Sequence, residues 1–92
     1  MPYYLTVRRG QDRGVAWPIG PVPLVIGRDT GCTIRLDDPT VSRRHCQLIL
    51  ENDALKLHDM GSRNATLLNG APVSEAVLAP GDEIGVGATV FC

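Results

Sequence analysis

Ten glycines and seven prolines are spread through this 92-residue chain and cut its apolar runs to a few residues each. Segments that short suit β-strands rather than helices, whose nucleation needs a longer amphipathic run. Alternation supports the same reading. Tyr3, Leu5 and Val7 alternate with other neighbours over Tyr3–Arg9, the period of a half-buried strand. Further strands are expected at 15–19, which Pro18 assigns to a sheet edge, at 24–26, at 33–36, and over Cys46–Glu51, Ala54–Asp59 and Thr66–Leu68. The last two are expected at 83–86 and 88–92. Asn52-Asp53 reads as a turn, and Asn69-Gly70 as a type I′ hairpin, because both its positions need positive φ. Pro80-Gly81 reads as a type II turn. Many short strands with turn signals between them specify an all-β fold, a two-sheet sandwich.

A formal net charge of −1 gives the chain no overall attraction to nucleic acid or an anionic membrane. No run is long enough to cross a membrane as a helix, and no signal peptide is evident. Residues 1–92 carry no linker, repeat or low-complexity segment, so one domain is expected. Because the sequence stops inside an apolar strand, that domain is expected to come from a longer protein. Cys32, Cys46 and Cys92 are odd in number and match no zinc or redox spacing. Cys46 reads as a small buried hydrophobe, and a reducing, cytoplasmic setting follows as the simplest expectation.

Three polar clusters border the apolar runs: Gly27-Arg28, Ser42-Arg43-Arg44-His45 and Ser62-Arg63-Asn64. Loops held by a rigid scaffold are where binding residues concentrate. The chain has eight arginines and one lysine, and Arg28, Arg43, Arg44 and Arg63 all fall within these clusters. Arginine forks, hydroxyls and an amide suit a tetrahedral dianion, a phosphate presented by another molecule. Other chemistries fit poorly. Ser42 and His45 suggest a nucleophile and base, but no G-x-S-x-G elbow or paired acid accompanies them, so no catalytic residue is assigned. The 27–31 segment lacks the lysine-hydroxyl pair and helix of a P-loop, so no nucleotide cofactor is expected. A zinc role for His45 with Cys46 or His58 is set aside.

Gly27-Arg28, Ser42-x-x-His45 and the run Ser62-Arg63-Asn64-Ala65-Thr66 before Asn69-Gly70 resemble the forkhead-associated (FHA) domain. The 78–84 stretch with Pro80-Gly81 resembles that family's turn before its last strands. The resemblance covers essentially the whole chain. It implies about eleven strands in two mostly antiparallel sheets and a non-catalytic module that binds phosphothreonine peptides through loops at one end. Residue by residue, it implies phosphate contacts from Arg28, Ser42 and Arg43, and a hydrogen bond from Asn64 to the peptide main chain. Thr40 and Arg63 would sit at the pocket rim and tune specificity. Gly27, His45 and Ser62 would hold the loops, and Arg44 would remain a solvated or steering charge. The family usually has glycine where this chain has Ala65, a position where positive φ or close backbone approach would favour glycine.

Each assignment has a plainer alternative. Arg28 would otherwise form a surface salt bridge with Asp29 or Asp37, Ser42 would cap a turn, and Asn64 would be an ordinary turn residue. The leading expectation is a phosphothreonine-recognition module whose partner is a serine/threonine kinase substrate, a separate protein or a phosphosite in the same parent chain. A phosphate-independent interaction or assembly domain, using a sheet face or the edge near Trp17, is the alternative. No metal, cofactor, nucleic acid or membrane partner is expected.

Overall fold

The computed structural model describes residues 3–92 and contains eleven strands. They are β1 (Tyr3–Arg9), β2 (Ala16–Ile19), β3 (Leu24–Gly27), β4 (Ile34–Arg35), β5 (Cys46–Glu51) and β6 (Ala54–Asp59), followed by β7 (Thr66–Leu68), β8 (Ala71–Val73), β9 (Glu75–Leu78), β10 (Ile84–Val86) and β11 (Thr89–Phe91). One sheet has the order β2-β1-β11-β10-β7-β8, and the other β4-β3-β5-β6-β9. Among the described residues, only the β3–β4 pairing is parallel. The all-β, two-sheet sandwich expected from the sequence is the architecture found. No helix among the described residues is long and apolar enough to cross a membrane.

The turns follow from residues that tolerate left-handed backbone. Asn52 and Asp53 take φ values of 52° and 63° and close the β5–β6 hairpin. Asn69 and Gly70, at 51° and 86°, join β7 to β8 in the two-residue loop their sequence specifies. Gly81 sits at 90° after Pro80, and the Asp82 N–H returns to the Ala79 carbonyl at 3.1 Å. Pro18 does lie on an edge strand, β2. Strand limits differ slightly from the sequence expectation: β2 begins one residue after Val15, and β4 is confined to Ile34–Arg35. β8 and β9 emerge from a stretch in which Pro72, Ser74 and two alanines weaken strand patterning.

Side chains from both sheets meet in one apolar core. Leu5, Val7, Ile84, Val86 and Phe91 face Leu24, Ile26, Leu48 and Leu57, all of them buried. Phe91 and Ile26 have no exposed surface. Burying side chains of this size stabilises by about 1.5–3 kcal/mol each, which makes the sheets a rigid platform for the loops between them. Cys46 is also fully buried, and burial pushes its thiol pKa up to about 12.

Candidate functional site

The three polar clusters converge because β3, β5 and β6 are neighbours in one sheet and the loops after β3, before β5 and after β6 leave it together. The β3–β5 ladder continues beyond the strands. The His45 N–H bonds to the Ile26 carbonyl at 2.9 Å, Arg28 N–H to Ser42 at 3.0 Å, and Asp29 N–H to Arg43 at 3.1 Å. Gly27 permits this approach. A Cβ there would collide with the Arg43 carbonyl and come within 2.9 Å of Cys32 Sγ. Its requirement is space, since its φ lies outside the left-handed region.

Arg28 is exposed, but its Nε–H donates to the Val41 carbonyl at 3.0 Å. One edge of the guanidinium is thereby fixed, and its terminal nitrogens have no partner among the described residues. The salt bridges there are Arg8–Glu83, Lys56–Glu51 and His58–Glu75, so none neutralises Arg28, Arg43, Arg44 or Arg63. The alternative salt bridge to Asp29 or Asp37 is not formed. Arg43 and Arg44 are both exposed, in a bent segment rather than a strand.

Ser42 and His45 are joined, but not as a catalytic pair. His45 is fully buried, and the Ser42 backbone N–H donates to its Nδ1 at 3.1 Å. The other ring nitrogen, Nε2, lies 2.8 Å from the Ala65 carbonyl. A carbonyl only accepts, so Nε2 carries the proton and Nδ1 is the acceptor. Both nitrogens are thus committed to backbone, leaving no base for the serine hydroxyl. Ser42 Oγ accepts the Arg63 N–H at 2.9 Å, which leaves its own O–H free to donate.

The β6–β7 loop is tied to the same unit. Asn64 donates from Nδ2 to the Thr40 carbonyl at 2.8 Å, leaving its Oδ1 as an open acceptor. Ala65 has a φ of 66°, the left-handed conformation for which glycine is the unstrained residue. Ser62 donates its hydroxyl to Asp59 Oδ1 and its N–H to Oδ2 at 3.0 Å. Asp59 also accepts from the Gly61 N–H and, at 2.7 Å, from the Thr66 hydroxyl. Burial alone would raise the Asp59 pKa; the bonds from Ser62, Thr66 and Gly61 outweigh it and hold the carboxyl below its ordinary value.

Thr40 is exposed, and its hydroxyl donates to Asp38 at 2.7 Å. The same carboxylate accepts the Ala88 N–H at 2.9 Å, linking the β4–β5 loop to the β10–β11 turn of the opposite sheet. That bond, followed by those from Thr40, lowers the Asp38 pKa. Asp59 and Asp38 are loop organisers that sequence reasoning passed over. Their signal was available: an Asp two or three residues before a backbone N–H it can accept is a common turn device.

Arg28, Ser42, Arg43, Thr40, Arg63 and Asn64 therefore lie on one cross-linked end of the sandwich, with Gly27, His45 and Ser62 inside its loops. No group of three or more His, Cys, Asp or Glu side chains that would hold a metal occurs among the described residues. One groove lies away from this end, on the outer face of β5, β6 and β9, and another beside β2 and the loop after it. A surface of open donors and an open amide acceptor on a β-sandwich defines a recognition domain. A family model for the FHA domain matches residues 24–87, and the chain belongs to that family.

Among its relatives, the glycogen accumulation regulator GarA of Mycobacterium tuberculosis is 43% identical over 83 residues, covering 90% of this chain and 51% of GarA. The oxoglutarate dehydrogenase inhibitor of Corynebacterium glutamicum is 36% identical over 83 residues, 90% of this chain and 58% of the inhibitor. The chain thus spans about half the length of these relatives. An FHA structure solved in work on phosphothreonine-dependent FHA domain interactions superposes with a TM-score of 0.89 at 33% identity, covering 99% of this chain and 93% of the other. The FhaA FHA domain, complexed with the intracellular domain of another protein, gives 0.86 at 34% identity, with 96% and 94% covered.

Proposed function

We propose that this domain recognises a phosphothreonine in an extended segment of a serine/threonine kinase substrate, and that it does so without catalysis. The supporting observation is the convergence of Arg28, Ser42 and Asn64 on one end, each pinned by one hydrogen bond and each with a further donor or acceptor open. Arg28 supplies the guanidinium fork and Ser42 its hydroxyl to phosphate oxygens, with Arg43 as the second cationic contact. Asn64 grips the peptide main chain, while Thr40 and Arg63 line the rim. A phosphate carrying about −1.5 to −2 charges is the partner these groups lack.

The phosphosite belongs to a separate protein or to the remainder of a longer parent chain, of which residues 1–92 form the recognition module. Three unpaired cysteines suit the reducing cytoplasm where such kinases act. The test is calorimetric titration with a degenerate phosphothreonine peptide pool and its unphosphorylated twin, alongside Arg28→Ala. Binding confined to the phosphorylated pool and weakened at least about tenfold in the variant is expected, since a charge-assisted bond is worth about 1.5–3 kcal/mol. Equal binding of both pools would instead identify a phosphate-independent interaction domain.

A further inference from the structure

The sandwich has four strand edges, and three are closed. On β2, the Val7 N–H bonds to the Val15 carbonyl, so by alternation Leu5–Trp17 is a bonded pair and Pro18 turns its backbone nitrogen outward. On β8, Pro72 holds the equivalent outward position between the bonded pairs Leu68–Ala71 and Thr66–Val73. Each edge thus carries a residue with no N–H where an added strand would need one. β4 has two residues, and its outward Arg35 carbonyl already accepts the Gln11 side-chain amide at 2.8 Å.

β9 has no such device. The Asp59 N–H bonds to the Ser74 carbonyl at 2.8 Å, and the Met60 N–H to His45 on the other side of β6 at 2.9 Å. By alternation Ala76 and Leu78 face β6, whereas the N–H and C=O groups of Glu75 and Val77 point away from the sheet. The open stretch has defined ends, because Val73, the next outward residue, belongs to β8 and is paired with Thr66, and the Ala79 N–H is taken by Asp82 at 2.8 Å. Val77 is 68% exposed, and the Glu75 side chain 75%. Beside this edge runs a groove of about 500 Å³ on the outer sheet face, lined in part by Ile49, Lys56, Glu75 and Val77.

We propose that β9 is a second docking site, which takes an extended segment of a protein partner as an added antiparallel strand. Glu75 and Val77 offer it four backbone hydrogen bonds. Side chains opposite them fall on the groove face, so complementarity calls for an apolar residue beside Val77 and, two residues later, a basic one beside Glu75. A second copy of this chain fits less well. Its own β9 would set Val77 against Glu75, so neither carboxylate would gain a cation beyond the His58 imidazole that already lies 3.5 Å from it. This site does not depend on Arg28, so it stands or falls separately from phosphothreonine recognition.

The test uses an unphosphorylated peptide pool with Val-x-Lys fixed at its centre, a twin with Val-x-Glu, and NMR titration of the labelled domain. The Lys pool should shift the Glu75 and Val77 amides selectively and bind at least fivefold more tightly than the Glu pool. Val77→Pro gives β9 the device that β2 and β8 already carry and should abolish this binding while leaving the phosphopeptide titration unchanged. N-methylating the peptide amide opposite Val77 removes the same bond from the partner's side and should weaken binding at least tenfold, whether or not the proline variant folds. Insensitivity to N-methylation, equal affinity for the two pools, or a concentration-dependent dimer abolished by Val77→Pro would overturn the proposal.

Discussion

The buried imidazole of His45 holds the carbonyl of Ala65 at 2.8 Å, and Ala65 is itself in left-handed backbone with a φ of 66°. Among the described residues, the other non-glycine positions with positive φ are Asp12, Asn52, Asp53 and Asn69, whose side chains tolerate that region. Ala65 has no such help. Ala65→Gly should therefore stabilise the domain by about 1 kcal/mol, raising Tm by about 4–8 °C, with phosphopeptide affinity retained. A lower melting temperature would show that the position is not strained.

His45→Ala should act through the loops rather than through direct ligand contact. It strands the Ser42 N–H and the Ala65 carbonyl, at about 1–3 kcal/mol for each unsatisfied group, and leaves a cavity. Denaturant unfolding should show a loss of about 3 kcal/mol or more. Affinity measured where the variant remains folded should fall as well.

Arg28→Lys should restore only part of the binding lost in Arg28→Ala. Lysine supplies charge but neither the Nε–H that bonds to Val41 nor a planar fork. About a tenfold deficit against wild type is expected by calorimetry. Wild-type affinity in the lysine variant would rule out recognition by the fork.

Acid should unfold this domain through its organising carboxyls. The Ala88 N–H leads the causes that lower the pKa of Asp38, and the Ala79 N–H those for Asp82; at Asp59, burial opposes the shift and is outweighed by hydrogen bonds. A carboxyl with a depressed folded pKa contributes stability that is present above its unfolded value of about 3.9 and lost as pH falls through the folded pKa. Tm should be flat above about pH 5 and drop below about pH 4. Asp59→Asn should destabilise by about 1–3 kcal/mol at neutral pH, with the gap to wild type closing in acid. A gap that stayed constant with pH would contradict this account.

Thiol labelling should sort the cysteines by environment. Cys46 is buried with its pKa pushed up to about 12, whereas Cys32 and Cys92 are partly exposed. A native-state thiol assay should count two reactive groups, and the third only on unfolding. Rapid labelling of Cys46 would mean that the β3–β5 region opens easily.

Much of this architecture was legible in the residues because its signals are local. Alternation over Tyr3–Arg9, the Asn69-Gly70 hairpin and Pro80-Gly81 depend only on neighbours in sequence. Harder to see were relations set by strand order. Nothing near Asp38 announces that its carboxylate reaches Ala88, fifty residues on. The β8 and β9 strands were obscured because edge strands need only one buried face and tolerate proline. Gly27 stood out as the border of a polar cluster, but its true constraint, the carbonyl of Arg43, lies in the loop before β5. For the site, the clusters and their chemistry stood out from spacing, while the hydrogen bonds that join them required the fold.

Gly27 also bears on how fast a ligand can be captured. Because no side chain separates it from Arg43, the loops carrying Arg28 and Ser42 share one backbone ladder and cannot move apart without breaking it. Assembly of the pocket is thus part of folding, and no slow rearrangement need follow first contact. For the ligand proposed above, encounter would then be a single diffusive event toward an end carrying four arginines without salt-bridge partners, and discrimination between correct and incorrect peptides would fall to how quickly each one leaves.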